Sequence, residues 1–336
     1  MTETLRAPSA ADPAPEPSGS AGPRERVGLR APRDPGDGVF ARASQAAGVL
    51  ILVILAAVAT FLLVQALPAL TAAAEKLPYG NTLLYALPFA FGTLWSSALA
   101  LLLAVPVSIG IALFISHYAP RRLASVIGYV MDLLAAVPSV VFGLWGIFTV
   151  APAVLPLYEW LNGTAGRVPV LSLFFGGSVS GTGRTILTAA LVLAVMILPI
   201  ITSLTREVFL QTPRLHEEAA LALGATRWEM IRMAVLPFGR SGIVSACMLG
   251  LGRALGETMA VAMVLSPSTV ISLLLLTSTN PNTIAANIAL NFPEAYGLGT
   301  NQLIATGLVL FVITLAVNMI ARYVISRRAE FSGANG

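Results

Sequence analysis

The chain contains one cysteine, Cys247, and two widely separated histidines, His117 and His216. An internal disulfide is therefore excluded, and no zinc cluster or other metal site is expected. Lysine is almost missing, since Lys76 is the one lysine among twenty basic residues. The phosphate-binding loop of nucleotide hydrolases needs a lysine behind a glycine-rich turn, so this chain is expected to bind no ATP and no other cofactor itself. Charge of either sign is scarce as well, at 11% of 336 residues, where soluble domains carry about a quarter. Apolar residues take up the difference, with 56% of the chain hydrophobic and a mean hydropathy of +0.82. Such a composition belongs in a bilayer.

Residues 1–40 differ from the rest, being rich in Pro, Ala, Gly, Ser and Arg with few large apolar side chains. They cannot bury enough surface to offset chain entropy and are expected to form a disordered tail. Six apolar runs lie within 41–330, at about 44–70, 90–116, 124–151, 185–205, 241–265 and 302–325. Roughly 20 helical residues cross the hydrocarbon layer, so each is long enough to span. The expected fold class is an all-α membrane protein with six transmembrane helices. The first run starts too far in for a cleaved signal peptide and reads as a retained anchor.

Arginine sets the orientation. Arg6 to Arg42 precede the first run, Arg121 and Arg122 follow the second, and Arg206, Arg214, Arg227, Arg232 and Arg240 lie between the fourth and fifth. Together with Arg322, Arg327 and Arg328 they fall on one side, while the other holds Lys76, Arg167 and Arg184. The positive-inside rule puts both termini and the 206–240 loop in the cytoplasm. The outer connections 152–184 and 266–301 are expected to hold short non-spanning segments.

The 206–240 loop reads as two short helices around a turn. Thr212 is placed to cap the first, Pro213 suits its first position, and Gly224 supplies a left-handed stop. Thr226 and Glu229 form a capping box for the second, which Pro237 is expected to end. Trp228 and Leu221 are then available to dock, with Glu217 and Glu218 on the charged face. Glu218-Ala219-Ala220, then Gly224, then Leu236-Pro237 resemble the EAA loop of ABC-importer permeases at the family spacing, with Ala234 where the family pattern has isoleucine. The resemblance implies a type I importer (MetI-like) core whose coupling elbow, through Glu217, Glu218, Ala219, Ala220, Gly224 and Trp228, engages a separate ATPase that binds ATP and Mg. The chain would be a transport subunit and not an enzyme.

The fifth run places Arg253 and Glu257 four residues apart, on one face of a helix near the bilayer centre. An arginine there costs about 2.5–3.5 kcal/mol on insertion scales, so this face should turn to protein or to a water-filled path. Gly252 and Gly256 make a small-residue ridge where another helix can approach. A structural ion pair and a transport site both satisfy this pattern. A guanidinium grips two oxygens of a tetrahedral anion, and a carboxylate accepts the O–H that phosphate keeps near neutral pH and sulfate lacks. Pro138-Ser139 inside the third run is a candidate bend, with Ser139 as a further pathway residue.

Gly250 to Val261, Ala136 to Gly146 and Glu207 to Pro213 resemble the PstC family of phosphate permeases. The resemblance implies a heterodimer with a PstA-like permease, two PstB-like ATPase copies inside, and a PstS-like phosphate-binding protein outside, in a bacterial cytoplasmic membrane and without nucleic acid. It also carries the family's pathway arginine and glutamate onto Arg253 and Glu257. An ABC permease for sulfate or molybdate is the nearest alternative, and an ion-coupled secondary transporter a more distant one. Glu257 speaks against the first, and the elbow against the second.

Overall fold

The computed structural model describes residues 35–329, with side chains from 38 to 323. Most of the expected 1–40 tail therefore lies outside the described residues, and 35–40 are helical. Among the described residues every element is a helix or a turn. The chain divides into two units, 1–55 and 56–336. The described part of the first is the opening of helix α1 (Pro35–Thr71), whose side chains from 38 to 55 are all exposed. An apolar helix with no buried face is one solvated by lipid tails.

The second unit carries the remaining elements: α2 (Thr82–Leu113), α3 (Arg121–Ala135), α4 (Ser139–Trp145), α5 (Ala151–Thr164), α6 (Ser172–Phe175), α7 (Ile186–Leu210), α8 (Arg214–Ala222), α9 (Arg227–Met230), α10 (Leu236–Leu255), α11 (Met259–Val264), α12 (Ile284–Asn291) and α13 (Leu298–Ala329). Side-chain caps start several of them. Asn81 accepts from the amides of Leu83 and Leu84 to open α2, Thr185 from Thr188 to open α7, and Thr283 from Ala286 to open α12.

Six helices are long and apolar enough to cross a membrane, over 38–71, 82–118, 139–167, 186–210, 227–255 and 298–323. The third differs from expectation. Pro138 forces Val137 out of helical geometry and separates α3 from α4, so the long helix runs from Ser139 through a π turn into α5 and occupies much of the expected outer loop. Two expected short outer segments are present as α6 and α12. Pro237 also behaves differently, because a π turn over Ile231–Val235 joins α9 to α10. That turn widens the ladder ahead of the proline ring, which sits in the first turn of α10 where its missing N–H is harmless.

Helix α7 is the centre of the unit, with α2, α10 and α3 packed around it. Its membrane stretch is 67% buried, against 17–33% for the other spanning helices of this unit. Small residues set the close approach: Ala100 and Ala104 of α2 meet Ala189, Ala190 and Ala194 of α7 in one core. The Ser108 hydroxyl donates to the Leu198 carbonyl at 3.2 Å across the same contact.

Candidate functional site

Helix α10 ends at Leu255, two residues after Arg253. Gly256 lies in a turn with φ −91° and ψ 0°, Glu257 and Thr258 are non-helical, and α11 restarts at Met259. The expected placement of Arg253 and Glu257 on one face of a continuous helix is thus not met, and no salt bridge joins them. Among the described residues the one ion pair joins other groups. Helical periodicity was carried across Gly256, where a residue of low helical propensity lets the ladder end.

The break gives the two side chains separate environments. Glu257 is 8% exposed, and its Oε1 accepts the Ala260 amide of α11 at 3.0 Å. Arg253 is half-buried; its Nε is buried without a hydrogen-bond partner. It lines a cavity of about 650 Å³ between α10 and α13. No carboxylate among the described residues pairs with this guanidinium, and an anion is what its donors suit.

Helix α11 is clamped on three sides. A Cβ on Gly143 of α4 would stand 2.8 Å from Met263 Sδ and 3.1 Å from Ala260 Cα. One on Gly146 would stand 2.7 Å from Val264 and 2.8 Å from Val192. Only glycine permits this approach of α4 and α11, and it brings the half-buried Ser139, first residue of α4, onto the helix that packs beside Glu257's segment. At the far end the Arg184 guanidinium donates to the carbonyls of Met263, Val264 and Leu265 at 3.1, 3.5 and 3.1 Å. It satisfies the carbonyls that a helix end leaves open. Arg184 was legible only as a rare cation on the outer side, a rarity that does call for a partner.

Among the described residues the Gly252 ridge has no neighbour, as a Cβ there meets nothing within 4 Å. The close helix approach expected at that ridge is not made by any described element.

The elbow forms as helix, turn, helix. Gly224 has φ +86°, and the Thr226–Glu229 capping box is complete, at 2.8 Å from the Thr226 amide and 3.3 Å back from the Glu229 amide. Thr212 does not cap α8; Pro213 occupies that position, and the Thr212 hydroxyl is buried without a partner. Ala220 packs inward against Phe209, Met230 and Ile231. Glu218, Ala219 and Trp228 are exposed, as are Leu215 and Leu223, the last at 90%. Single exposed leucines are ordinary on a protein surface; with Trp228 they leave the exposed part of the elbow carrying apolar side chains.

Glu217 is not on that free face. Its Oε1 lies 3.5 Å from Nε2 of His117, at the end of the helix that continues α2. His117 also stacks edge-on to Phe209, and its Nδ1 is 2.6 Å from Ser116 Oγ. A hundred intervening residues hid this contact from any sequence pattern.

The family of binding-protein-dependent transport system inner membrane components matches residues 104–330, which include the elbow, Arg253 and Glu257. The chain is 47% identical over 314 residues to a phosphate transport system permease protein, PstC 2, of Mycobacterium tuberculosis, covering 85% of this chain and 91% of the relative. It is 41% identical to the PstC phosphate transport system permease of Mesorhizobium japonicum, covering 89% and 92%. Its fold is similar to that of a bacterial ABC transporter involved in alginate import, with TM-score 0.58, 16% identity and coverage of 87% of this chain and 96% of that one. A six-helix membrane chain with an EAA-type elbow, matched over most of its length by permeases, belongs to the binding-protein-dependent transport system inner membrane components of the cytoplasmic membrane, and within them to the PstC permeases.

Proposed function

We propose that this chain is the permease subunit of an ATP-driven phosphate importer, and that Arg253 and Glu257 hold the anion on its way through the membrane. One observation carries the reading: the broken helix keeps Arg253 from any carboxylate among the described residues and sets it on a cavity, while Glu257, outside that cavity's wall, keeps Oε2 free of any protein hydrogen bond among the described residues. The guanidinium takes two phosphate oxygens, and the carboxylate accepts the remaining O–H, which sulfate does not have. Ser139, at the start of the helix that packs on α11, lies outside the wall of that cavity and enters the reading as a further pathway residue. The bare Gly252 ridge supports a second, PstA-like permease on that face, since a close-packing glycine with nothing against it is a half-made contact. The exposed elbow supports docking of a PstB-like ATPase, two copies in the complex, which bind and hydrolyse MgATP. A PstS-like protein delivers phosphate from outside, and both termini lie in the cytoplasm.

The experiment replaces Arg253→Met together with Glu257→Leu. The two side chains make no pair with each other, so replacing both by apolar residues of similar size leaves no buried partner ion behind. The double variant should co-purify with its partners and move no phosphate in reconstituted vesicles. Glu257→Gln should lower phosphate transport and narrow discrimination against sulfate. A double variant that transports at the wild-type rate refutes the pathway role.

A further inference from the structure

The cavity that Arg253 lines extends along α10 and α13 to Ser245, Asn318 and Arg322. Ser245 precedes Arg253 by about two turns of α10, toward the elbow. Asn318 and Arg322 stand one turn apart on α13, so they share a face. The two charged groups on the cavity wall are both cationic, and no carboxylate lines it. Neither arginine has a salt-bridge partner among the described residues, where the one ion pair is His117–Glu217. Walls of low dielectric carrying one sign of charge concentrate the opposite ion between them.

We propose that Arg322, with Asn318 and Ser245, forms a second oxyanion station, through which phosphate passes between Arg253 and the elbow side of the membrane. The proposal rests on the pathway reading of Arg253 and on the orientation given by the arginines. Each group has a part. The Arg322 fork takes two oxygens of the anion, and the Asn318 amide has donors to offer. Ser245 Oγ donates to the Ser241 carbonyl at 3.0 Å, so its lone pairs remain to accept the O–H of protonated phosphate. Arg322 and Asn318 are exposed where Arg253 is half-buried. Solvent weakens the outer station relative to the inner one, which is the order that lets an anion leave.

The phosphate group of a lipid headgroup offers the same chemistry to an arginine at the end of a span, and the test separates the two sources. The complete transporter is reconstituted in phosphatidylcholine vesicles, with the binding protein and labelled phosphate enclosed and ATP outside. Arg322→Gln should lower kcat about tenfold with KM nearly unchanged, because delivery to Arg253 is intact and release is not. Unlabelled phosphate added on the ATP side should inhibit the variant at least tenfold less well than the wild type. Arg322→Lys should recover most of both effects, and co-purification of the partner subunits reports that assembly is intact. Unchanged kcat and unchanged inhibition in Arg322→Gln overturn the second station, while inactivity of Arg253→Gln in the same vesicles leaves the inner site standing. Normal transport by Arg253→Gln refutes the pathway reading itself. A defect in Arg322→Gln that appears only when phosphatidylglycerol is added assigns the arginine to lipid and overturns the proposal.

Discussion

Glu217→Ala should loosen the elbow from its own membrane domain. In the wild type Glu217 Oε1 and His117 Nε2 are 3.5 Å apart, with side chains 23% and 10% exposed. Ser116 Oγ donates to the Ala112 carbonyl at 2.7 Å, which leaves it to accept Nδ1–H of His117 and fixes the ring with Nε2 toward the carboxylate. An imidazolium at this distance would give a gross attraction of about 4–5 kcal/mol at an effective dielectric near 20, and a neutral ring much less. Desolvation and side-chain ordering reduce such partly exposed pairs to about 1 kcal/mol net. That is roughly a fivefold change in the ratio of seated to free elbow, since RT is about 0.6 kcal/mol and the ratio scales exponentially. On the proposed coupling role, the elbow passes ATPase motion to α7 and α10, so a looser seat wastes cycles. The number of ATP hydrolysed per phosphate moved should rise severalfold in Glu217→Ala and in His117→Ala, and the double variant should be no worse than either single one. Additive losses in the double variant, or an unchanged ATP-to-phosphate ratio in the singles, would refute the strut.

Gly224→Ile should cost about 1–2 kcal/mol through its left-handed backbone, with no steric clash because the space around it is open. Uptake should fall through lost coupling while protease-accessibility mapping shows all six spans still inserted. Gly146→Ala should destabilise the subunit by about 1–3 kcal/mol from the clash with Val264 and Val192, read as a lower Tm of the detergent-solubilised chain. Gly252→Leu meets nothing in this chain; it should leave that Tm unchanged yet abolish co-purification of the second permease, and normal co-purification would show that no helix covers the ridge.

What the sequence disclosed and what it hid divide along the range of the forces involved. Local rules placed the Thr226–Glu229 capping box, the left-handed Gly224 and four of the six spans, while the third and fifth run over 139–167 and 227–255 instead of the expected 124–151 and 241–265. The same rules failed where two local signals competed. Pro138 inside an apolar run read as a bend and proved to be a break, since the residue before a proline leaves helical space whether or not the flanking residues are apolar. Pro237 read as a stop and proved to be an interior residue, because a π turn upstream made room for it. Gly256 was counted as part of a small-residue ridge when it ends the helix. That error bears on function. An unbroken helix would have let Arg253 and Glu257 neutralise each other, whereas the break gives Glu257 the Ala260 amide and leaves the arginine unspent. The contacts that hold α11 in place, Arg184 on its carbonyls and α4 against its side, join segments 79 to 81 and more than a hundred residues apart. No periodicity encodes them. On the proposed pathway reading they matter because a cation kept from its neighbouring carboxylate remains attractive to an anion that has yet to arrive.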